Sequence, residues 1–157
     1  MSRVEGRAGR LVIGIGNPSR GDDAVGPLAI ERLEALNLPD VELLTDFQLQ
    51  VEYLLDMEGR EKVIFIDASL TGDGQFAYSP VITLEDHSFT SHALSPSALL
   101  AAYARHFGRP PPPSFVLAIR AYEFELGAGL SVAANNNMEA ALRFLIGQLT
   151  VGLAAQP

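Results

Sequence analysis

A chain of 157 residues, 48% hydrophobic and 19% charged, is long enough to bury one real core and fits a single domain. Its formal charge of −8, with 11 basic residues and Lys62 the sole lysine, argues against a nucleic-acid partner, whose phosphates need clustered Lys and Arg. The lack of cysteine excludes disulfides, a thiolate nucleophile and cysteine-ligated zinc; no uncharged apolar run reaches the roughly 18 residues of a membrane span, so a cytoplasmic location without membrane association is expected.

Residues 1–10, MSRVEGRAGR, have no hydrophobic h-region and read as a flexible N-terminal extension rather than a secretory signal. Residues 11–157 read as a single α/β domain. Leu11–Ile15 is apolar on both faces, the pattern of a central strand. A Gly-Asn-Pro turn follows, then Asp22 and Asp23. Val25, Leu28, Ala29, Leu33 and Leu36 then fall at helical spacing, with Pro27 tolerated in the first turn. Either Asp22 or Asp23 is placed to cap this helix, which ends at Asn37–Asp40 with Pro39 as the breaker. Val41–Leu44 is a second strand. Gln50–Met57 reads as a short helix with Val51, Leu54 and Leu55 on one face and Gly59 as its stop.

Lys62–Ile66 (KVIFI) is the second strongly buried strand, with Asp67 at its carboxyl end. Leu70–Gly74 is a loop. Gln75–Leu84 alternates poorly and contains Pro80, which suits an edge strand of either direction, antiparallel included. A polar loop carrying His87 and His92 leads to Ser95-Pro96, an N-cap followed by proline at the first helical position. That helix runs to about His106 on Leu99, Leu100, Tyr103 and Phe107, and Gly108 ends it. Pro110–Pro113 is a short polyproline spacer, Ser114–Ile119 another buried strand, and Tyr122–Ser131 irregular. A last helix, starting near Asn135, buries Met138, Ala141, Leu142, Leu145 and Leu149. Strands alternating with helices imply a three-layer α/β fold: a mostly parallel or mixed sheet of about five strands with helices on both faces.

In such a sheet, ligands bind outside the carboxyl ends of the strands. Three residues are expected on that rim: Asp23 after the first strand, Asp67 after the KVIFI strand, and His92 ahead of a helix. A lone cap accounts for one Asp, but not for two adjacent acids preceded by Arg20. His87 and His106 read as exposed side chains. Two carboxylates and an imidazole make an O/O/N set suited to a hard or borderline divalent metal with open positions, and equally to metal-free general acid–base work. The order G-I-G-N-P-S-R-G lacks the third glycine of the dinucleotide fingerprint and the lysine of a phosphate loop, and no G-x-S-x-G elbow is present.

The stretch GIGNPSRGDDAVG resembles the G-x-G-N-x4-D-D/E-x-x-G signature of the hydrogenase maturation proteases, endopeptidases that trim the C-terminus of a nickel–iron hydrogenase large-subunit precursor. VIFIDAS resembles that family's strand ending in Asp, and SHALSPSALLAAY its His segment leading into a helix. The likeness runs from Leu11 to Leu149, with the three motifs in order. It implies that Asp23, Asp67 and His92 engage nickel already inserted in the precursor, with no tightly bound cofactor of the protease's own. Asp23 stands where many members have Glu, one methylene longer. Asp22 is then either the base that activates water or only a helix cap. Thr45–Met57 departs from the aspartate-glycine-glycine-threonine pattern of some members. With Phe124–Ser131, it resembles the branch serving soluble NAD(P)-linked hydrogenases.

The expected partner is therefore a hydrogenase large-subunit precursor, and the chain itself is expected to be a monomer. A non-catalytic nickel-site chaperone of the precursor is the alternative from another class. A peptidyl-tRNA hydrolase-like enzyme also opens on a strand and a Gly-x-Gly-Asn-Pro turn, but needs a basic surface that this chain lacks.

Overall fold

A computed structural model describes residues 6–83 and 94–150. It contains β1 (Arg10–Ile15), α1 (Val25–Glu34), β2 (Val41–Asp46), α2 (Tyr53–Met57), β3 (Lys62–Ser69), β4 (Phe76–Pro80), α3 (Pro96–Phe107), β5 (Ser114–Arg120) and α4 (Val132–Thr150), with a 3-10 turn at Gly21–Ala24 between β1 and α1. The sheet order is β2-β1-β3-β5-β4. The first four of these strands run parallel, and β4 pairs antiparallel with β5 at the edge. The expected mixed α/β sheet of five strands is what forms, and Pro80 sits at the end of the edge strand, where its missing N–H costs nothing.

Strand alternation divides the core into two layers. Val12, Ile64, Ile66, Leu117 and Ile119 face α1 and α4, meeting Val25, Ala29, Ile30 and Leu33 of the first and Met138, Ala141, Leu142 and Leu145 of the second. Leu11, Ile13, Val63 and Phe65 face the other way, against Leu54 and Met57 of α2 and Leu99, Leu100 and Tyr103 of α3. Both layers are closed, which is why β1 and β3 read as unbroken apolar runs. Among the described residues, no helix is long and apolar enough to cross a membrane.

Several boundaries differ from expectation for local reasons. Residues 7–10, expected within the frayed extension, are tied down: Arg7 donates to the carbonyls of Leu55 and Glu58, Gly9 N–H donates to Asp40, and β1 starts at Arg10. α1 stops at Glu34, leaving Leu36 exposed in the turn that follows. α2 has only five residues, so Val51 precedes it and lies exposed with Leu55; Leu49, Leu54 and Met57 are buried instead. α4 begins at Val132 rather than near Asn135, because the Ser131 hydroxyl accepts from Ala134 N–H and caps it. At α3, Ser95 caps through Ala98 N–H, Pro96 opens the helix and Gly108 closes it in the left-handed conformation, as the sequence implies.

Candidate active site

The chain leaves β1 for β2 on one side and reaches β3 on the other, so the sheet changes direction between β1 and β3. In open α/β sheets ligands bind at such a switch point, beyond the carboxyl ends of the two strands. The turn after β1 carries Asp22 and Asp23. Asp67 lies on β3 itself, one residue beyond the Gly14–Ile66 pairing, because that strand continues to Ser69 rather than ending at Ile66.

The turn is built by backbone contacts that only glycine permits at two points. A Cβ on Gly16, whose φ is +148°, would stand 2.0 Å from the carbonyl oxygen of Asp23. One on Gly21, with φ +55°, would stand 2.5 Å from that of Glu123. The chain therefore doubles back tightly, and the 3-10 turn presents Asp22 and Asp23 on different sides.

The two acids have unlike surroundings. Asp22 is wholly buried. Its carboxylate accepts the N–H of Tyr122 (2.9 Å), Glu123 (3.0 Å) and Ser131 (2.7 Å) and the Ser131 hydroxyl (2.8 Å). Burial alone would push its pKa up; the hydrogen bonds from Ser131, Glu123 and Tyr122 outweigh that and hold the carboxyl below its ordinary value. It makes no side-chain cap to its own helical turn. The expected choice between base and cap thus meets a third arrangement, in which Asp22 clasps the segment joining β5 to α4. Asp23 is half-buried and accepts the N–H of Asn17 at 2.7 Å.

Asp67 is also half-buried, and its Oδ1 takes the N–H of Ala68 at 2.8 Å. Burial raises its pKa to about 6; the Ala68 hydrogen bond opposes the rise, and the charge of Asp23 adds to it. The two carboxylates expected at the rim are therefore near enough to repel each other. A cation between them would relieve both the desolvation and the repulsion. His92 and His87 lie outside the described residues; among those described, no group of three His, Cys, Asp or Glu side chains is placed to hold a metal ion.

An open crevice of about 230 Å³ adjoins this turn, lined by Gly16, Pro18, Pro27, Thr45, Asp46 and Phe47. Asp46 is engaged there by Phe47 N–H and by the Tyr53 hydroxyl at 2.8 Å. Burial and that hydrogen bond push Tyr53 up to about 12. Sequence reasoning missed the parts played by Asn17, Tyr122, Glu123 and Ser131. Asn17 and Ser131 carried signals, one inside the glycine-rich motif and one directly before a helical run. Tyr122 and Glu123 act through their backbone and carried none.

Neither a family model nor a curated relative matches the sequence. The fold, however, is shared with solved proteases. The NiFe hydrogenase maturation protease HycI from Thermococcus kodakarensis is 26% identical, with 92% of this chain and 94% of that chain covered and a TM-score of 0.71. The hydrogenase maturating endopeptidase HybD from E. coli is 26% identical over 91% of this chain and 93% of its own, with a TM-score of 0.74. An endopeptidase from Escherichia coli, solved in solution, is 26% identical over the same shares with a TM-score of 0.70. These likenesses, at 26% identity over about nine-tenths of the chain, are to hydrogenase maturation proteases, whose fold this chain shares.

Proposed function

We propose that this protein is the endopeptidase that removes the C-terminal extension from the large-subunit precursor of a nickel–iron hydrogenase, and that Asp23, Asp67 and His92 engage the nickel the precursor brings. The observation that carries the reading is the pair Asp23 and Asp67 at the switch point of a sheet shared with known hydrogenase maturation endopeptidases. With no cation between them, burial and the charge of Asp23 hold the Asp67 pKa above that of an ordinary carboxyl. A divalent ion delivered by the substrate offsets both and draws the pair together. Such an O/O/N set holds free nickel weakly, so cleavage follows metal insertion and serves as its checkpoint.

Water polarised at the precursor's nickel or activated by a carboxylate supplies the nucleophile. Asp22 is assigned no such part, since its carboxylate is buried and already accepts four hydrogen bonds. The segments Thr45–Met57 and Phe124–Ser131 favour a soluble, NAD(P)-linked cytoplasmic hydrogenase as client, with the protease acting as a monomer.

The test is incubation with a nickel-loaded large-subunit precursor and measurement of intact mass. Loss of a C-terminal peptide is expected, with metal-free precursor left uncut. Asp23→Ala and His92→Ala should abolish cleavage while keeping the fold. An unchanged precursor mass in a stable complex would replace the protease with a chaperone, and equal cutting of metal-free precursor would end the checkpoint.

A further inference from the structure

The site residues are carried by a turn that is fastened to a part of the chain a hundred residues away. Ser19 carbonyl accepts Gly127 N–H at 2.8 Å, Arg20 Nε donates to Phe124 carbonyl at 3.3 Å, and Asp22 N–H donates to Glu123 carbonyl at 2.7 Å. The Asp22 carboxylate lies in the middle of this seam. Three donors converge on its Oδ2, the Tyr122 and Glu123 N–H groups and the Ser131 hydroxyl, while Ser131 N–H takes Oδ1. The far side of the seam is itself anchored. Asn137 of α4 donates to Arg120 carbonyl and to the Tyr122 hydroxyl, and the Arg120 guanidinium stacks over the Tyr122 ring.

On the opposite side of the same turn, Asp23 closes back onto Asn17 N–H, with its own carbonyl pressed on Gly16. Two adjacent carboxylates thus divide the work. One is consumed in holding the turn against the segment between β5 and α4, and the other is left outside that clasp. Besides the Asp22 carboxylate, the Arg20 side chain and the backbone bonds at Ser19 and Asp22 fasten this turn, which has no side-chain cap of its own.

We propose that Asp22 is a positioning residue for Asp23: by locking the 17–24 turn onto residues 122–131, it fixes the distance at which Asp23 meets the substrate. This deepens the protease reading and rests on it for the role of Asp23. The chemistry asks for such a device, since misplacing a reacting group by about 1 Å costs on the order of a hundredfold in rate. Asparagine at position 22 retains the shape but turns an amide N–H₂ toward at least one donor, so the lock loosens without an atom being removed.

The experiment compares wild type with Asp22→Asn and Ser131→Ala in two readouts. The first is cleavage of nickel-loaded precursor, separated into kcat and KM. Asp22→Asn is expected to lower kcat about tenfold or more with KM within about twofold, because the loss is one of alignment in the transition state. The second is amide hydrogen exchange without substrate. The expected result is faster exchange not only at Tyr122, Glu123 and Ser131 but also at Asn17, whose N–H reports on Asp23. Ser131→Ala, which keeps the charge and removes one donor, should shift both readouts the same way by less, and it decides the matter if Asp22→Asn does not fold. Asn17 protection unchanged in a folded variant overturns the proposal, whatever happens to the rate; so does an unchanged kcat. If wild type itself fails to cut any nickel-loaded precursor, the protease reading falls, while the exchange at Asn17 still decides whether Asp22 sets Asp23.

Discussion

Ser131 is held twice by one carboxylate: its N–H lies 2.7 Å from Oδ1 of Asp22 and its hydroxyl 2.8 Å from Oδ2. The same hydroxyl accepts from Ala134 N–H and so starts α4. Removing it in Ser131→Ala loses a charge-assisted bond and a helix cap, an expected cost of about 2 to 3 kcal/mol in urea unfolding at neutral pH. The pH dependence has a definite sign. The Asp22 pKa is lowered on folding, so its stabilisation is present above the ordinary value of 3.8 and is lost as the pH falls through the lower folded value. The deficit of Ser131→Ala should therefore shrink in acid. A deficit of constant size even below the folded-state titration of Asp22 would show that its charge takes no part.

Asp67 behaves in the opposite sense. Its pKa rises from 3.8 to about 6 on folding, so the native state holds a proton that the unfolded chain releases between those values. Stability from this group declines as the pH climbs through that window and is flat above it. Asp67→Asn mimics the neutral form. It is expected to match wild type near pH 3.5 and to exceed it by about 3 kcal/mol at pH 8, while losing cleavage of a nickel-loaded precursor. Urea midpoints at the two pH values check this; an equal difference at both would refute it.

Such a site was half legible in the sequence, and for physical reasons. β1 and β3 are apolar on both faces because helices cover both, and a run of that kind admits few other placements. An acid directly after the KVIFI run, and one in the turn after the first run, fall near the carboxyl ends of those strands, which is where the sequence places Asp67 and Asp23. The division of labour between Asp22 and Asp23 was not legible, since it depends on Tyr122, Glu123 and Ser131, backbone donors about a hundred residues downstream. Of the face expected for α2 only Leu54 is buried, because five residues are too few for a period to show. The start of α4 was missed because its cap, Ser131, serves two partners at once.

At the far end of the sheet, Arg60 is a buried cation. Its guanidinium pairs with Glu42 and donates to Ala8 carbonyl at 2.7 Å and Asp56 carbonyl at 2.8 Å. These bonds bind the chain before β1 to α2. Arg60→Leu strands the two carbonyls and is expected to cost about 2 to 4 kcal/mol. It should also speed exchange at residues 7–10, far from the acids, and leave the cleavage rate of folded protein unchanged. A rate loss matching that of the Asp23 variants would mean that the two ends of the sheet are coupled.

Gly21 and Gly108 allow the close approach at the site to be weighed against backbone conformation alone. Both have left-handed φ angles, +55° and +66°. Around Gly108 a Cβ would meet nothing within 4 Å, whereas at Gly21 it would meet Glu123 carbonyl at 2.5 Å. Gly108→Ala should cost only the conformational term, about 1 kcal/mol. Gly21→Ala carries that term plus the displacement of the 122–131 segment, and should cost about 2 kcal/mol more, within the range for forced overpacking. It should also release the Asp22 hydrogen bonds, so its exchange pattern at Tyr122, Glu123 and Ser131 should copy that of Asp22→Asn. Equal losses of stability in the two alanine variants would mean that the segment yields freely, and that the turn is not held by its contact with Glu123.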